Sequence, residues 1–307
     1  NFLFYDIIHM HNNNYLKLIF LISKVLINIY FIGGVILNFS YKLGIDIGST
    51  TIKLVVLDND NQVVYKKYMR HLSEIYKSMH DNMILLSDTL KNHKFTCAIT
   101  GSAGMGMANN LNMPFVQEVI ACSKAVKNWI PQTDVAVELG GEDAKITYFG
   151  SAPEQRMNGV CAGGTGSFID HMASLLNTDA MGLNELAQKG TQIYTIASRC
   201  GVFAKTDVQA LLNDGVSKAD IALSILQAVV NQTIGNLAQG RPLEGNIAFL
   251  GGPLYFLTQL KERFIKTLKL TDEHIVNVDD GCYFVAMGCA LSDNAIEMTY
   301  DELMQRL

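Results

Sequence analysis

The chain has 307 residues, 49% of them hydrophobic, enough to bury a sizeable core and to build two lobes of ordinary domain size. Lysine and arginine number 24 against 29 acidic residues, a net charge of -5, so the basic footprint that dominates nucleic-acid binding is missing and no nucleic-acid partner is expected. Six cysteines without a C-x-x-C pair or tight secreted-type spacing fit a reducing, cytoplasmic setting, and seven histidines without an H-x-x-x-H helix give no support to a zinc hydrolase.

In chain order, Leu18 to Leu37 is an apolar run of about the length that spans a bilayer, interrupted by Lys24, Asn28 and the pair Gly33-Gly34. A membrane anchor or weak signal sequence competes here with an extension that is disordered or a gene-start artefact. The second reading is preferred, residues 1–41 are set apart as that extension, and a membrane is not expected as a partner. Beyond it, β-branched runs ending in glycine turns alternate with helix-length segments, an α/β pattern. Residues 41–47 predict a buried strand, 51–58 a second and 62–70 a third, with Asn59, Asp60 and Asn61 in the hairpin turn. A helix is expected over 74–91, then a strand over 96–100 that stops at Gly101, then a helix over 118–129 that Pro131 ends. Strands over 134–139 and 144–149 repeat the opening order of strand, glycine-and-acid turn, lysine and strand. The echo predicts a duplicated lobe with a boundary near 132, giving lobes of 42–132 and 133–281. Long helices are expected to dominate 166–237. A strand over 246–250, a small-residue helix over 282–292 packing back on the first lobe, and a tail or start of a further module over 293–307 complete the chain.

Gly44-Ile45-Asp46-Ile47-Gly48-Ser49-Thr50-Thr51-Ile52-Lys53 places an acid at a strand end, then a glycine, three hydroxyls and a lysine. That order suits phosphates: Gly48 lets the backbone approach, the turn amides and the hydroxyls of Ser49, Thr50 and Thr51 donate, and Asp46 holds hydrated Mg2+. An ordinary hairpin with a glycine bulge would account for the same residues. Glu138-Leu139-Gly140-Gly141-Glu142-Asp143-Ala144-Lys145 repeats the arrangement as a second clamp, against which stands a solvated β-turn. Phe249-Leu250-Gly251-Gly252-Pro253 ends a strand in two glycines, where a flat adenine could approach the backbone. In order and spacing the three resemble the phosphate-1, phosphate-2 and adenosine motifs of the ASKHA superfamily of acetate and sugar kinases, heat-shock chaperones and actin. The resemblance implies an α/β fold of two ribonuclease-H-like lobes around a cleft for ATP or ADP, with Mg2+ near Asp46 and Glu138. Glu138 departs from the aspartate usual at its position.

Cys161 lies in Asn158-Gly159-Val160-Cys161-Ala162-Gly163-Gly164-Thr165-Gly166 ahead of one helix, and Cys200 in Ala197-Ser198-Arg199-Cys200-Gly201 ahead of another. Helix N-termini favour thiolates. A disulfide, two inert thiols, or two of the four thiolates of a 4Fe-4S cluster are all open, a two-fold dimer supplying the other pair. The stretches Cys161 to Phe168, Cys200 to Asp207 and Gly140 to Lys145 carry a closer resemblance over 42–292. They resemble the activator component of 2-hydroxyacyl-CoA dehydratases and the ATPase subunits of benzoyl-CoA reductases. Gly101-Ser102-Ala103-Gly104-Met105-Gly106 and Arg156-Met157-Asn158-Gly159 are similar to the N-terminal module of long fused activases.

That resemblance implies that Cys161 and Cys200 of two copies hold one 4Fe-4S cluster across a homodimer, and that Gly163, Gly164 and Thr165 join the cofactor-binding residues. It also implies that ATP hydrolysis changes the angle between the lobes and drives single electrons into a 2-hydroxyacyl-CoA dehydratase or CoA-ester reductase component, with ferredoxin or flavodoxin as donor. Glu142 and Asp143 are the candidates to orient the attacking water. A small-molecule kinase on the same scaffold and a nucleotide-driven binding module are the rival readings. Cys97, Cys122, Cys282 and Cys289 are expected to be core or surface thiols, the last two sharing a helix face for packing.

Overall fold

A computed structural model describes residues 41–158, 163–198 and 200–307. Strands β1 (Tyr41–Ile47), β2 (Thr51–Leu57) and β3 (Val63–Arg70) form an antiparallel meander. The Asp58 carboxylate closes the second turn by accepting from the Asp60 and Gln62 amides, and Asn61 takes the left-handed conformation that asparagine tolerates. Where one helix was expected over 74–91 there are two, α1 (Ile75–Leu85) and α2 (Ser87–Leu90), separated at Leu86, and Leu86 and Leu90 are both buried in the core. Strand β4 (Phe95–Thr100) then returns parallel to β1. Helices α3 (Gly104–Asn110) and α4 (Glu118–Trp129) follow.

The second round repeats the first. Strands β5 (Val135–Leu139), β6 (Ala144–Tyr148) and β7 (Glu154–Met157) form another meander, and β8 (Ile247–Leu250) lies parallel to β5. Between them come α5 (Gly166–Leu175), α6 (Ala180–Gln188), α7 (Gly201–Asn213) and α8 (Lys218–Thr233). The irregular stretch before Cys200 is tied down by Asp220, which accepts from the Thr191 and Gln192 amides, and by Asp207, which accepts from Ala197. Helices α9 (Gly252–Phe256) and α10 (Thr258–Leu268) lead to β9 (Ile275–Val276), parallel to β8, and then to α11 (Phe284–Ala290).

Residues 293–307, expected to be a tail or the start of a further module, pack on the first lobe. Strand β10 (Ile296–Met298) pairs antiparallel with β4, and α12 (Tyr300–Arg306) starts on a capping box between Thr299 and Glu302. The Tyr300 hydroxyl donates to the Met83 carbonyl at 3.1 Å. A strand of three residues carries too little periodicity to be read from sequence. The two sheets therefore run β10-β4-β1-β2-β3 and β9-β8-β5-β6-β7, two ribonuclease-H-like lobes with matching strand positions.

Each lobe has its own core. A third cluster joins them: α4 and α11 lie between the inner sheet faces, with Val55, Ala98, Ala136 and Ala248 beneath them. Two glycines permit this approach. A Cβ on Gly44 would stand 2.0 Å from the Ala286 carbonyl oxygen, and one on Gly288 only 1.7 Å from that of Ala121. Among the described residues one helical stretch, Lys218–Ala238, is long and apolar enough to cross a membrane by length and composition, and most of it is buried in the second lobe. The apolar run from Leu18 to Leu37 lies outside the described residues.

Candidate functional site

Each lobe offers the cleft the same pair of charges. The register of β1 on β2 sets Asp46 opposite Lys53, and that of β5 on β6 sets Glu138 opposite Lys145. Lys53 Nζ lies 3.0 Å from Asp46 Oδ2, and Lys145 Nζ lies 3.6 Å from Glu138 Oε1 and 4.0 Å from Asp143 Oδ2. Lys145 also donates to Glu118, the first residue of α4. Burial opposes the charge on both lysines, but their carboxylates outweigh it. Asp46 foremost holds Lys53 above the ordinary lysine range, and Glu138 and Glu118 do so for Lys145. Glu118 is itself pushed up to about 6, mainly by burial; Lys145 pulls it down, while Asp46 and Glu138 add to the rise.

Asp46, Glu118, Glu138 and Asp143 face two ammonium groups, so the cluster carries excess negative charge, which suits a divalent cation arriving with phosphates. Among the described residues no three His, Cys, Asp or Glu side chains gather closely enough to ligate an ion directly.

The two turns are built alike and meet. Gly48 N-H donates to the Thr51 carbonyl at 2.9 Å, and Gly140 N-H to the Asp143 carbonyl at 2.7 Å. A Cβ on Gly141 would lie 2.2 Å from Thr50 Oγ1 and 3.2 Å from Ser49 Oγ, so the turns face each other across the cleft only because Gly141 has no side chain. The third motif closes the back of the cleft. Gly251 is left-handed (φ 87), with its missing Cβ 2.1 Å from the Leu139 carbonyl oxygen, and Gly252 abuts the Tyr68 hydroxyl. Asp46, Thr51, Lys53, Glu138, Gly140, Gly141, Gly251 and Gly252 line one cavity of about 30 Å³. Beside it opens another of about 260 Å³, bordered by Thr50, Arg70, Ser167, Met181 and Phe256.

Other expected residues lie elsewhere. Glu142 is exposed at the tip of its turn, whereas Asp143 is half-buried beside Lys145. Gly163, Gly164 and Thr165 are buried and line neither cavity; Gly164 is left-handed (φ 82) and packs on Gln232. Their neighbours take the place at the cleft: the Gly166 amide donates to the Gly140 carbonyl at 3.0 Å and the Ser167 amide to the Gly141 carbonyl at 2.7 Å. The loop that leads into α5 is thereby bonded to the second turn.

Cys161 lies outside the described residues. Cys200 is the N-cap residue of α7, half-buried, with a thiol that makes no capping bond. Burial pushes up the thiols of Cys97, Cys122 and Cys289, and that of Cys282 to about 12, so none of these four is a ready thiolate. Two site residues escaped the sequence. Glu118 reads there only as an acid in the first turn of a helix, and Gly101 only as a strand end. In the fold a Cβ on Gly101 (φ 102) would stand 2.6 Å from Asp46 Oδ1.

The chain is similar to several known proteins. The activating ATPase of (R)-2-hydroxyglutaryl-CoA dehydratase from Acidaminococcus fermentans is 29% identical over 225 residues, covering 69% of this chain and 82% of that protein. The crystal structure of the A. fermentans dehydratase component A matches with a TM-score of 0.68 and 25% identity over 86% of this chain and 99% of that one. The activator of 2-hydroxyisocaproyl-CoA dehydratase from Clostridium difficile, solved with bound ADPNP, also gives a TM-score of 0.68, at 23% identity over 86% and 96% of the two chains, a likeness of fold. The profile of one ATPase family matches residues 43–291, which takes in the second lobe, most of the first, all three turns and Cys200. This chain belongs to the BadF/BadG/BcrA/BcrD ATPase family.

Proposed function

We propose that the protein is an ATP-dependent activator. It hydrolyses ATP between its lobes and couples the step to low-potential, single-electron transfer into a 2-hydroxyacyl-CoA dehydratase or related CoA-ester reductase. The reading rests on the family, on a relative that activates such a dehydratase, and on one observation in this fold. The helix that continues from the Gly163-Gly164-Thr165 loop hangs by its first amides on the Gly140 and Gly141 carbonyls. A turn that shifts on phosphate therefore shifts the segment that follows Cys161.

In this reading the amides of Ser49, Thr50 and Gly141 and the hydroxyls of Ser49, Thr50 and Thr51 cradle the phosphates. Lys53 and Lys145 offset the charge that builds as water adds to the γ-phosphorus and the bond to ADP breaks. Asp46 and Glu138 would hold Mg2+ through water, and Asp143, beside Lys145, is better placed than exposed Glu142 to orient the attacking water. Cys200 fits a cluster ligand because it is the accessible, uncapped thiol at a helix N-terminus. With Cys161, and the same pair from a second copy, it would hold a 4Fe-4S cluster, which supplies a one-electron carrier when bound. The cluster makes the homodimer the working unit, with ferredoxin or flavodoxin as donor in the cytoplasm.

Iron and acid-labile sulfide assays on protein isolated without air, together with its mass in solution, test the proposal. The expected product is a brown, oxygen-labile dimer with about four irons per pair of chains, reduced to background in Cys200→Ser. A protein that stays monomeric and iron-free after reconstitution rejects the cluster and leaves a nucleotide-driven ATPase of another kind.

A further inference from the structure

His71 has no part in the roles above, yet it is buried against the first turn, only 4% exposed. Its Nε2 lies 3.1 Å from the Gly48 carbonyl oxygen, and its Nδ1 lies 3.1 Å from the Ser73 amide. A carbonyl oxygen only accepts and an amide N-H only donates, so the two bonds fix the tautomer: Nε2 carries the hydrogen and donates it to Gly48. The His71 amide also donates to the Thr50 carbonyl at 3.3 Å, so the end of β3 grips the turn twice. The loop that brings the imidazole here holds two successive non-glycine residues in the left-handed region, Leu72 at φ 48 and Ser73 at φ 66. Strain of that kind persists where the surroundings impose it and gathers at sites of function.

A trans peptide points its N-H opposite to its C=O. The bond that holds the Gly48 carbonyl therefore also aims the Ser49 amide away from the imidazole. We propose that His71 is a positioning residue for the phosphate-binding turn, fixing the peptide between Gly48 and Ser49 so that the Ser49 amide is directed at the phosphate chain of a nucleoside di- or triphosphate. If the peptide turned over, the buried Nε2-H would lose its partner and the Gly48 carbonyl its donor, so the orientation is held before ligand arrives. The inference rests on the reading of the cleft as a nucleotide site.

Calorimetric titration of the full chain with Mg-ATP and, separately, with adenosine tests it, comparing wild type, His71→Gln and His71→Met. Gln presents an N-H at about the reach of Nε2, whereas Met matches its length without a donor, so a packing defect common to both drops out of their ratio. Loss of the bond is expected to weaken Mg-ATP binding about tenfold in His71→Met. His71→Gln should stay within about threefold of wild type, and adenosine, which lacks phosphates, should change by less than about twofold in either. Equal loss of adenosine and Mg-ATP, or Mg-ATP binding in His71→Met equal to that of His71→Gln, overturns the positioning role. A wild type that binds no Mg-ATP rejects the nucleotide reading itself, a result distinct from either.

Discussion

Glu118 and Lys145 come from different elements, one opening α4 and the other on β6, and their meeting sets the protonation of the cleft. Burial and two neighbouring carboxylates raise Glu118 to about 6. A carboxyl whose folded pKa lies above its unfolded one binds its proton more tightly in the native state. Its stabilisation is therefore fully present below the ordinary carboxylate range and lost as pH rises through about 6. Urea unfolding of the nucleotide-free protein between about pH 4 and about pH 7 is expected to reveal this. Wild type should lose about 2 kcal/mol more than Glu118→Gln over that interval. If wild type gained on the variant as pH rose, the attraction of Lys145 would outweigh burial and the assignment would fail.

At the scale of elements, every residue of α11 is buried, and the helix touches β1 through Gly44 and α4 through Gly288. A side chain at 288 cannot fit without moving one helix away from the other. Gly288→Val should therefore destabilise by about 3 kcal/mol, the upper end for overpacking, read as a lowered urea midpoint with an unchanged slope. A variant as stable as wild type would mean that the helices tolerate separation. The same elements explain what could be read beforehand. β1, β2, β5 and β6 are long, apolar runs bounded by local glycine turns, and the acid–lysine pairs sit a few residues apart across those turns, so both the strands and the charges were legible. β7 is an edge strand of Glu154, Gln155, Arg156 and Met157 without a β-branched residue, and β9 and β10 are two and three residues long, so pairing with a neighbour creates them rather than propensity. Glu118 and Gly101 reach Asp46 only through packing between distant segments. Gly163 to Thr165, which the family resemblance adds to the cofactor-binding residues, are buried just ahead of the Gly166 and Ser167 amides that bond the second turn.

The described residues form two lobes that meet at a seam, and β3 makes much of that seam because alternate residues share a face. Lys66 pairs with Asp280 at 2.5 Å, Tyr68 meets Phe256 edge to face with ring centres 5.3 Å apart, and Arg70 pairs with Asp170 of α5 at 3.0 Å. Both ion pairs are partly exposed, so each contributes little by itself. Across it, the Gly166 and Ser167 amides depend on carbonyls of a turn that faces Thr50, and they exchange with solvent only when that turn or the helix end opens. Mg-ATP is therefore expected to slow hydrogen exchange in peptides spanning 163–175 together with those spanning 44–53, and by more than adenosine does. In Gly141→Ala, where a methyl would collide with Thr50, the effect on 163–175 should shrink while the loop itself stays folded. Protection confined to 44–53 would mean that the first lobe senses the nucleotide alone. The bonds from α5 to Gly140 and Gly141 would then be scaffolding, and communication between the ATP cleft and Cys200 would have to run through the seam at β3.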